Sequence, residues 1–162
     1  LAGRHPKFEK SAAHCMAVVD SDTIRKIWSE AKTVAVVGAT TKETMPVFGV
    51  MKFLLSEGYT CIPVNPRIAQ EGGQILGQNA VASLSEIKTK IDIVDIFMRS
   101  DRVAAVVDEA ILMQAGCIWT QIGVQDDVAA QKAIDAGLIV VQNRCPAMDI
   151  PTMSISTPRA RL

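Results

Sequence analysis

Residues 33–49 read TVAVVGATTKETMPVFG, a short apolar run followed by a polar loop and a second apolar segment. The apolar run at 33–37 is continuous, as in a strand buried on both faces of a parallel sheet. Gly38 follows directly, where a tight turn favours a residue without a side chain, and Pro46 suits the first turn of a helix. This stretch therefore predicts a strand, a polar turn and a helix in succession.

The same alternation of strand and helix continues along the chain. Predicted helices cover 24–31, 47–55, 103–111 and 126–136, and predicted strands cover 33–37, 59–64, 91–97, 117–119 and 138–141. Such a chain folds as an α/β protein with a doubly wound, mostly parallel sheet of the Rossmann type. Gly58 and Gly116 are expected to end helices, and Pro63 predicts an irregular or unpaired position in the second strand.

The remaining segments carry weaker signals. Residues 67–77 are rich in Gly and Gln and are predicted as a loop or short helix, followed by a weak strand around Val81 and a helical turn near Ser85. The residues after the last strand are predicted as an irregular tail. The domain boundaries follow: a flexible N-terminal tail at 1–20, the Rossmann-like domain at 21–150 and a C-terminal tail at 151–162.

Composition limits the function classes. The chain has 162 residues, 49% of them hydrophobic, with 17 basic and 17 acidic side chains, which is enough for one folded domain but gives no net field to hold a polyanion. The sequence has no basic stripe, so nucleic-acid binding is not predicted. No apolar run approaches the ~20 residues of a membrane span, and no metal site is predicted. The basic residues in 1–17 are interpreted as part of a flexible tail, and the predicted location is cytoplasmic. The alternative is a mitochondrial location, with these residues as the remnant of an organelle-targeting segment.

The cysteines stand singly at positions 15, 61, 117 and 145. Without paired spacing or a secretory signal, they predict free thiols in a reducing compartment. Cys61 and Cys117 fall in apolar strands, where a cysteine usually packs as a small hydrophobe.

Two loops at the carboxyl edge of the predicted sheet point to a ligand that carries phosphate. In the first, Gly38 allows close backbone approach, the following helix offers free N–H groups, and Lys42 adds a charge. The next glycine is Gly49, so the dinucleotide pattern G-x-G-x-x-G is absent, and a plain strand-to-helix turn is the alternative. In the second loop, Arg67 stands where NAD-binding domains carry an acid. It favours a ribose phosphate, either the 3′-phosphate of CoA or the 2′-phosphate of NADP, with a solvated arginine as the alternative.

Several motifs in order resemble the stand-alone CoA-binding domain proteins, whose domain also forms part of the succinyl-CoA synthetase α subunit. The matching stretches lie between about residues 22 and 150: GAT at 38–40, PVFG at 46–49, PVNPR at 63–67, DIFMRS at 95–100, WTQIGV at 119–124 and NRCP at 143–146. The resemblance implies a Rossmann-like fold with coenzyme A lying across the carboxyl edge of the sheet.

The resemblance also implies which residues bind the cofactor. They are Gly38, Ala39, Thr40, Lys42, Pro46, Phe48, Gly49, Asn65, Pro66, Arg67, Phe97, Arg99, Ser100, Gln121 and Gly123. The turn after the first strand, with the helix start, should hold the pyrophosphate. The turn after the second strand should lie by the ribose phosphate and adenine, and the later loops should form the adenine or pantetheine wall and the far rim.

Catalytic groups are scarce in this sequence. The synthetase uses a phosphorylated histidine, whereas the histidines here, His5 and His14, lie outside the resemblance. Asp95 is interpreted as a helix-capping or strand-end carboxylate, although its closeness to Phe97 leaves a site role open. Cys145 either meets the CoA thiol or, as we favour, packs as a small residue that shapes its turn.

The predicted function is therefore a non-catalytic module that binds coenzyme A or an acyl-CoA, with an unidentified protein partner possible. The alternatives are an NADP-type oxidoreductase domain and a subunit of an acyl-CoA ligase whose catalytic residues lie on a partner chain.

Overall fold

A five-stranded parallel sheet forms the centre of the computed structural model, which describes residues 19–161. In spatial order its strands are β2 (Thr60–Val64), β1 (Thr33–Val37), β5 (Ile93–Ile96), β6 (Cys117–Thr120) and β7 (Ile139–Val141). A separate antiparallel pair is formed by β3 (Gln74–Ile75) and β4 (Gln78–Asn79). The predicted fold class is confirmed. Along the chain, β1 is followed by β2 on one side of it and later by β5 on its other side. Sheets of this kind bind ligands at such a switch in strand order.

Helices cover both faces of the sheet. They are α1 (Ser21–Glu30), α2 (Pro46–Ser56), α3 (Pro66–Gln70), α4 (Val103–Leu112), α5 (Asp127–Asp135) and α6 (Pro146–Thr152), with 3-10 turns at Leu84–Glu86, Ser100–Arg102 and Pro158–Arg161. One core layer lies under α1, α2 and α6, and the other lies under α4 and α5. Within β1, Val34 and Val36 face the first layer while Ala35 and Val37 face the second, as the two-residue period of a strand requires.

The first core layer contains an aromatic cluster of Trp28, Tyr59 and Trp119. The Trp28 ring packs edge-on against both others, with centroids 5.2 Å from Trp119 and 5.5 Å from Tyr59. The Tyr59 hydroxyl donates to the Trp28 carbonyl at 2.7 Å, so the cluster ties α1 to the start of β2. Edge-to-face packing of this kind adds to the gain from burial alone.

Pro63 does not interrupt β2, contrary to the expected irregularity. It pairs with Val36 in parallel register, and its carbonyl accepts from the Val81 N–H at 3.0 Å on the outer side of the strand. Since β2 is an edge strand of the main sheet, the donor that proline lacks would have pointed away from β1. The predicted weak strand near Val81 is a single bridge to Val64.

Gly116 does not end a helix, contrary to the prediction from sequence. The helix α4 ends at Leu112, and the chain turns at Gln114, whose φ is +52°. Gly116 lies beyond that turn, where a Cβ would come within 2.8 Å of the Asp92 carbonyl oxygen. A close approach of two chains requires the glycine here, a constraint invisible to local sequence patterns.

The predicted irregular tail is wrong for residues 146–152, which form α6, and for 158–161, which form a final 3-10 turn. Ile150, Ile155 and Thr157 in this segment are buried. Pro146 occupies the first turn of α6, where a missing N–H does no harm.

The predictions for residues 1–18, including His5, His14 and Cys15, lie outside the described residues. Asp20 caps α1, its Oδ1 accepting from the Thr23 N–H at 2.7 Å. No helix within 19–161 combines the length and apolar character that crossing a membrane requires.

Candidate ligand-binding site

A cavity of about 290 Å³ opens at the carboxyl ends of β1 and β2, on the side covered by α4. Its lining comes from five separate stretches of chain: Val37, Gly38, Val64, Asn65, Pro66, Ala82, Ser83, Leu84, Met98, Val106 and Glu109. Most of this wall is apolar, and Glu109 is the ionisable side chain on it. An apolar cavity with few polar groups suits a flat, mostly neutral part of a ligand.

Gly38 joins the ends of three strands beside this cavity. Its φ is +86°, and its N–H donates to the Val64 carbonyl at 3.1 Å. A Cβ at this position would clash with the Phe97 carbonyl oxygen, so a side chain cannot fit without moving the end of β5. The turn after β1 is thus held against both neighbouring strands.

Asn65 ties that turn to the next one. Its Nδ2 donates to the Ala39 carbonyl at 2.8 Å, and its Oδ1 accepts from the N–H groups of Arg67 and Ile68 at 3.0 and 3.2 Å. The side-chain oxygen therefore caps α3 while the nitrogen anchors the loop after β1. In this arrangement Asn65 shapes the site and uses its amide on the protein itself.

The start of α2 has the features of an anion-binding helix end. Pro46 occupies its first turn, Met45 provides no side-chain cap, and Gly49 is exposed within the helix. A Cβ added at Gly49 would meet nothing within 4 Å, so packing does not demand a glycine there. The uncapped, positively polarised helix end and the open space above Gly49 together allow a phosphate to approach the backbone.

Exposed cations flank this edge. Arg67 follows Pro66 at the start of α3, 88% exposed, with its Nε 3.6 Å from the Glu71 carboxylate. Arg99 is similarly exposed and lies 3.2 Å from Asp101. Ion pairs of this kind are weak in water, so either guanidinium is free to exchange its partner for a ligand phosphate.

Glu109 projects from α4 toward the segment before β5. Its Oε2 accepts from the Leu84 N–H at 3.0 Å, which fixes the carboxylate at the cavity wall. The 3-10 turn at Leu84–Glu86 and α4 are thereby joined at the site.

The loops after β5, β6 and β7 use their polar groups on one another. Gln121 is buried, and its Nε2 donates to Asp95 Oδ1 at 2.7 Å. The Gly123 N–H donates to Asn143 Oδ1 at 2.7 Å, and Ser100 Oγ accepts from the Gln125 N–H at 3.1 Å. These hydrogen bonds join the loops after β5, β6 and β7 to one another.

The interpretation of Asp95 as a strand-end carboxylate is wrong. It lies within β5 at 0% exposure, and its Oδ2 has no hydrogen-bond partner among the described residues. Burial raises the pKa of Asp95 to about 8, a shift that the hydrogen bond from Gln121 only partly opposes. Asp95 is therefore mostly protonated at neutral pH.

The thiols differ in environment. Cys61 and Cys117 are buried in the sheet as predicted, and burial raises the pKa of the Cys61 thiol to about 12. Cys145 is half-buried at the residue preceding α6. The adjacent Arg144 makes a two-pronged pair with Asp149, both distances being 2.8 Å, so its charge is already engaged.

The predicted site residues divide by position. Gly38, Asn65 and Pro66 line the cavity. The others lie along the same edge, in the β1–α2 segment (Ala39, Thr40, Lys42, Pro46, Phe48, Gly49), at Arg67, or in the loops after β5 (Phe97, Arg99, Ser100) and β6 (Gln121, Gly123).

The second half of the cavity wall, residues 82–84, Met98, Val106 and Glu109, is not predicted from the sequence. Val106 and Glu109 are three residues apart on one face of α4, and that spacing was the available signal.

Comparison with known proteins gives a consistent result. A family model described as CoA binding domain matches residues 32–151. The chain is 35% identical over 122 residues to the uncharacterized protein YneT of Bacillus subtilis (strain 168), an alignment that covers 75% of this chain and 87% of YneT.

Two solved structures resemble the whole domain. A hypothetical protein from Pyrococcus horikoshii OT3 is 32% identical with a TM-score of 0.81, covering 90% of this chain and 99% of that one. A protein from Thermus thermophilus is 31% identical with a TM-score of 0.79, covering 83% and 99%.

Proposed function

The chain belongs to the CoA binding domain family, and on that premise we propose that it binds coenzyme A as a non-catalytic binding or regulatory module. The observation that carries this proposal is the pairing of an apolar cavity with an uncapped helix end on either side of Gly38. Coenzyme A likewise has a flat neutral base at one end, joined through its ribose to a negatively charged pyrophosphate.

The cavity suits the adenosine end of the ligand. Its volume of about 290 Å³ is at the lower limit of the ~300–1,000 Å³ typical of sites for drug-sized molecules. A base with its ribose matches that space, whereas the whole cofactor needs more. Pro66 and Arg67 continue from the cavity wall, so a 3′-phosphate on the ribose would come within reach of the Arg67 guanidinium.

The phosphates and the pantetheine would follow the strand ends. The pyrophosphate would lie between the turn at 38–40 and the start of α2, with the backbone of Gly49 accessible and Lys42 exposed nearby. From there the pantetheine, with or without an acyl group, would pass the loops after β5 and β6 toward Cys145.

The residues near this path support binding rather than catalysis. No histidine occurs within 19–161, Asp95 is enclosed in the sheet, and Arg144 is paired with Asp149. A general base must be unprotonated and within reach of the reacting atoms, and neither the enclosed Asp95 nor the Arg144 guanidinium meets both conditions.

Titration calorimetry with coenzyme A, dephospho-CoA, NADP and NAD tests the proposal. We expect coenzyme A to bind more tightly than either nicotinamide dinucleotide. Preference for NADP would instead support an oxidoreductase domain, and no binding of coenzyme A by the folded protein would contradict the proposal.

Arg67→Glu tests the ribose-phosphate contact. Reversing the charge should weaken binding of coenzyme A by 10-fold or more, the scale expected for about 1.4 kcal/mol, and leave dephospho-CoA nearly unchanged. Lys132→Glu reverses another exposed cation, one paired with Asp108 on the α4–α5 surface, and should affect neither ligand. Equal losses for both ligands would rule out the proposed role of Arg67.

A further inference from the structure

We propose that Glu109 selects the base of the bound nucleotide, favouring adenine because its carboxylate accepts a hydrogen bond from the exocyclic amine. This inference rests on the proposed function and names the group that gives the cavity its base preference.

The position of the carboxylate is set by the protein. Glu109 Oε2 accepts from the Leu84 N–H at 3.0 Å, which holds the side chain against the cavity wall. Glu109 lines the cavity, and its second oxygen, Oε1, makes no hydrogen bond or ion pair with any residue in 19–161. One oxygen is thus used for positioning and the other retains its full capacity to accept a hydrogen bond from a ligand.

The charge of Glu109 also sets the direction in which a nucleotide enters. A carboxylate on an otherwise uncharged wall repels phosphate, and the favourable places for phosphate lie outside, at the start of α2 and at Arg67. The neutral base is the part of the ligand that can lie against Glu109. Val64, Met98 and Val106 provide apolar contacts for its ring.

Hydrogen-bond polarity then distinguishes the purines. Adenine carries an amino group at position 6, which donates, whereas hypoxanthine and guanine carry an oxygen there, which only accepts. An oxygen facing Glu109 Oε1 would bring two acceptors together with no proton between them. Leaving such a pair unmatched in a partly enclosed site costs about 1–3 kcal/mol, which corresponds to roughly 5- to 150-fold in affinity.

Glu109→Gln inverts this polarity with little change in shape. The amide oxygen of glutamine still accepts from the Leu84 N–H, and the amide nitrogen then presents a donor to the cavity. Adenosine 3′,5′-bisphosphate and inosine 3′,5′-bisphosphate are suitable probes, because they carry the same phosphates and differ in the base. Their affinities are measured by competition with coenzyme A.

The wild-type protein should prefer the adenosine compound by 5-fold or more, and Glu109→Gln should abolish or reverse that preference. Asp108→Asn is the matched control: it removes one carboxylate from the neighbouring position of α4, where Asp108 pairs with Lys132 away from the cavity. This control should keep the wild-type preference.

Three results would separate the possibilities. If Glu109→Gln binds coenzyme A and keeps the wild-type base preference, the role of Glu109 is refuted while the proposed function stands. If coenzyme A binds but neither bisphosphate competes, the cavity does not hold the base and the inference also fails. If the folded wild-type protein binds no coenzyme A, the proposed function itself fails.

The wild-type protein supplies a further measurement that does not depend on the variant folding. The N6,N6-dimethyl derivative of adenosine 3′,5′-bisphosphate has no donor at position 6, so it should compete at least 5-fold less well than the parent compound. Equal competition by the inosine and adenosine compounds in the wild-type protein would overturn the inference.

Discussion

Asp95 is a carboxylic acid enclosed in the central strand of the sheet. It lies beside Val36 and Trp119 in neighbouring strands, and no Lys or Arg side chain in 19–161 pairs with it. Among the described residues, the buried Gln121 donates a hydrogen bond to Asp95, and this contact connects β5 to the loop after β6.

Asp95→Asn should change how stability depends on pH. The native pKa of about 8 exceeds the ordinary value of 3.8, so the native state holds more protons than the unfolded state between about pH 4 and 8. As pH rises from about 4 to 8, the contribution of Asp95 to the wild-type free energy of unfolding should therefore fall, and above pH 8 it should stay constant. Asparagine stays neutral and keeps an oxygen to accept from Gln121. The variant should lose this component of the pH dependence and exceed wild type by about 1 kcal/mol or more at pH 8.

Urea denaturation at pH 5 and pH 8 measures the effect. Asp108→Asn, which neutralises an exposed carboxylate, should follow the wild-type pH dependence. If Asp95→Asn follows it as well, Asp95 does not carry a raised pKa in the native protein.

Among the elements, α2 combines good packing on one side with a residue that weakens it on the other. Val47, Met51 and Leu54 are buried against the sheet, while Gly49 lies on the exposed side near the start. A glycine inside a helix costs about 1 kcal/mol relative to alanine, and no neighbouring atom in the described chain requires it. Its presence is consistent with a ligand that lies directly on the helix backbone.

Gly49→Ala should separate stability from binding. The free energy of unfolding should rise by about 0.5–1 kcal/mol, because alanine favours the helix. Affinity for coenzyme A should fall by 10-fold or more, because the methyl group occupies the approach to the backbone. Thermal unfolding and calorimetry on the same samples measure both, with Ser56→Ala at the far end of α2 as the control. Unchanged affinity would place the pyrophosphate elsewhere.

On the scale of the whole molecule, the last residues complete the first core layer. Ile155 packs into that layer, the Thr157 hydroxyl donates to the Glu57 carboxylate at 2.8 Å, and the Arg159 N–H donates to the Glu57 carbonyl at 2.9 Å. The chain after β7 therefore returns to the end of α2 and joins parts of the molecule about a hundred residues apart.

Ile155→Ala should destabilise the whole domain by about 2 kcal/mol or more, since it leaves a cavity in the core. Leu112→Ala is the control, because Leu112 is 82% exposed and its truncation should change stability by less than about 0.5 kcal/mol. Chemical denaturation followed by tryptophan fluorescence reports on both, since Trp28 and Trp119 lie in the same layer as Ile155. Equal stability of the two variants would mean that the C-terminal segment does not contribute to the core.

Local sequence determined the parallel sheet, the helices on both faces and the turn at Gly38. Apolar periodicity and the glycines and prolines that end elements are signals that act over a few residues. The bounds of β1 therefore match the prediction at both ends, and the bounds of β2, β5 and α2 differ from it by only a few residues. The motifs also identified the family correctly.

The order of the strands, the helical C-terminal segment and the composition of the cavity wall depend on contacts between distant parts of the chain. Glu109 meets Leu84 across 25 residues, and Asp95 meets Gln121 across 26. Whether a carboxylate is enclosed in a strand, fixed at a wall or exposed to water depends on which distant segments pack beside it. Burial and hydrogen bonding are properties of those contacts, and no short window of sequence contains them.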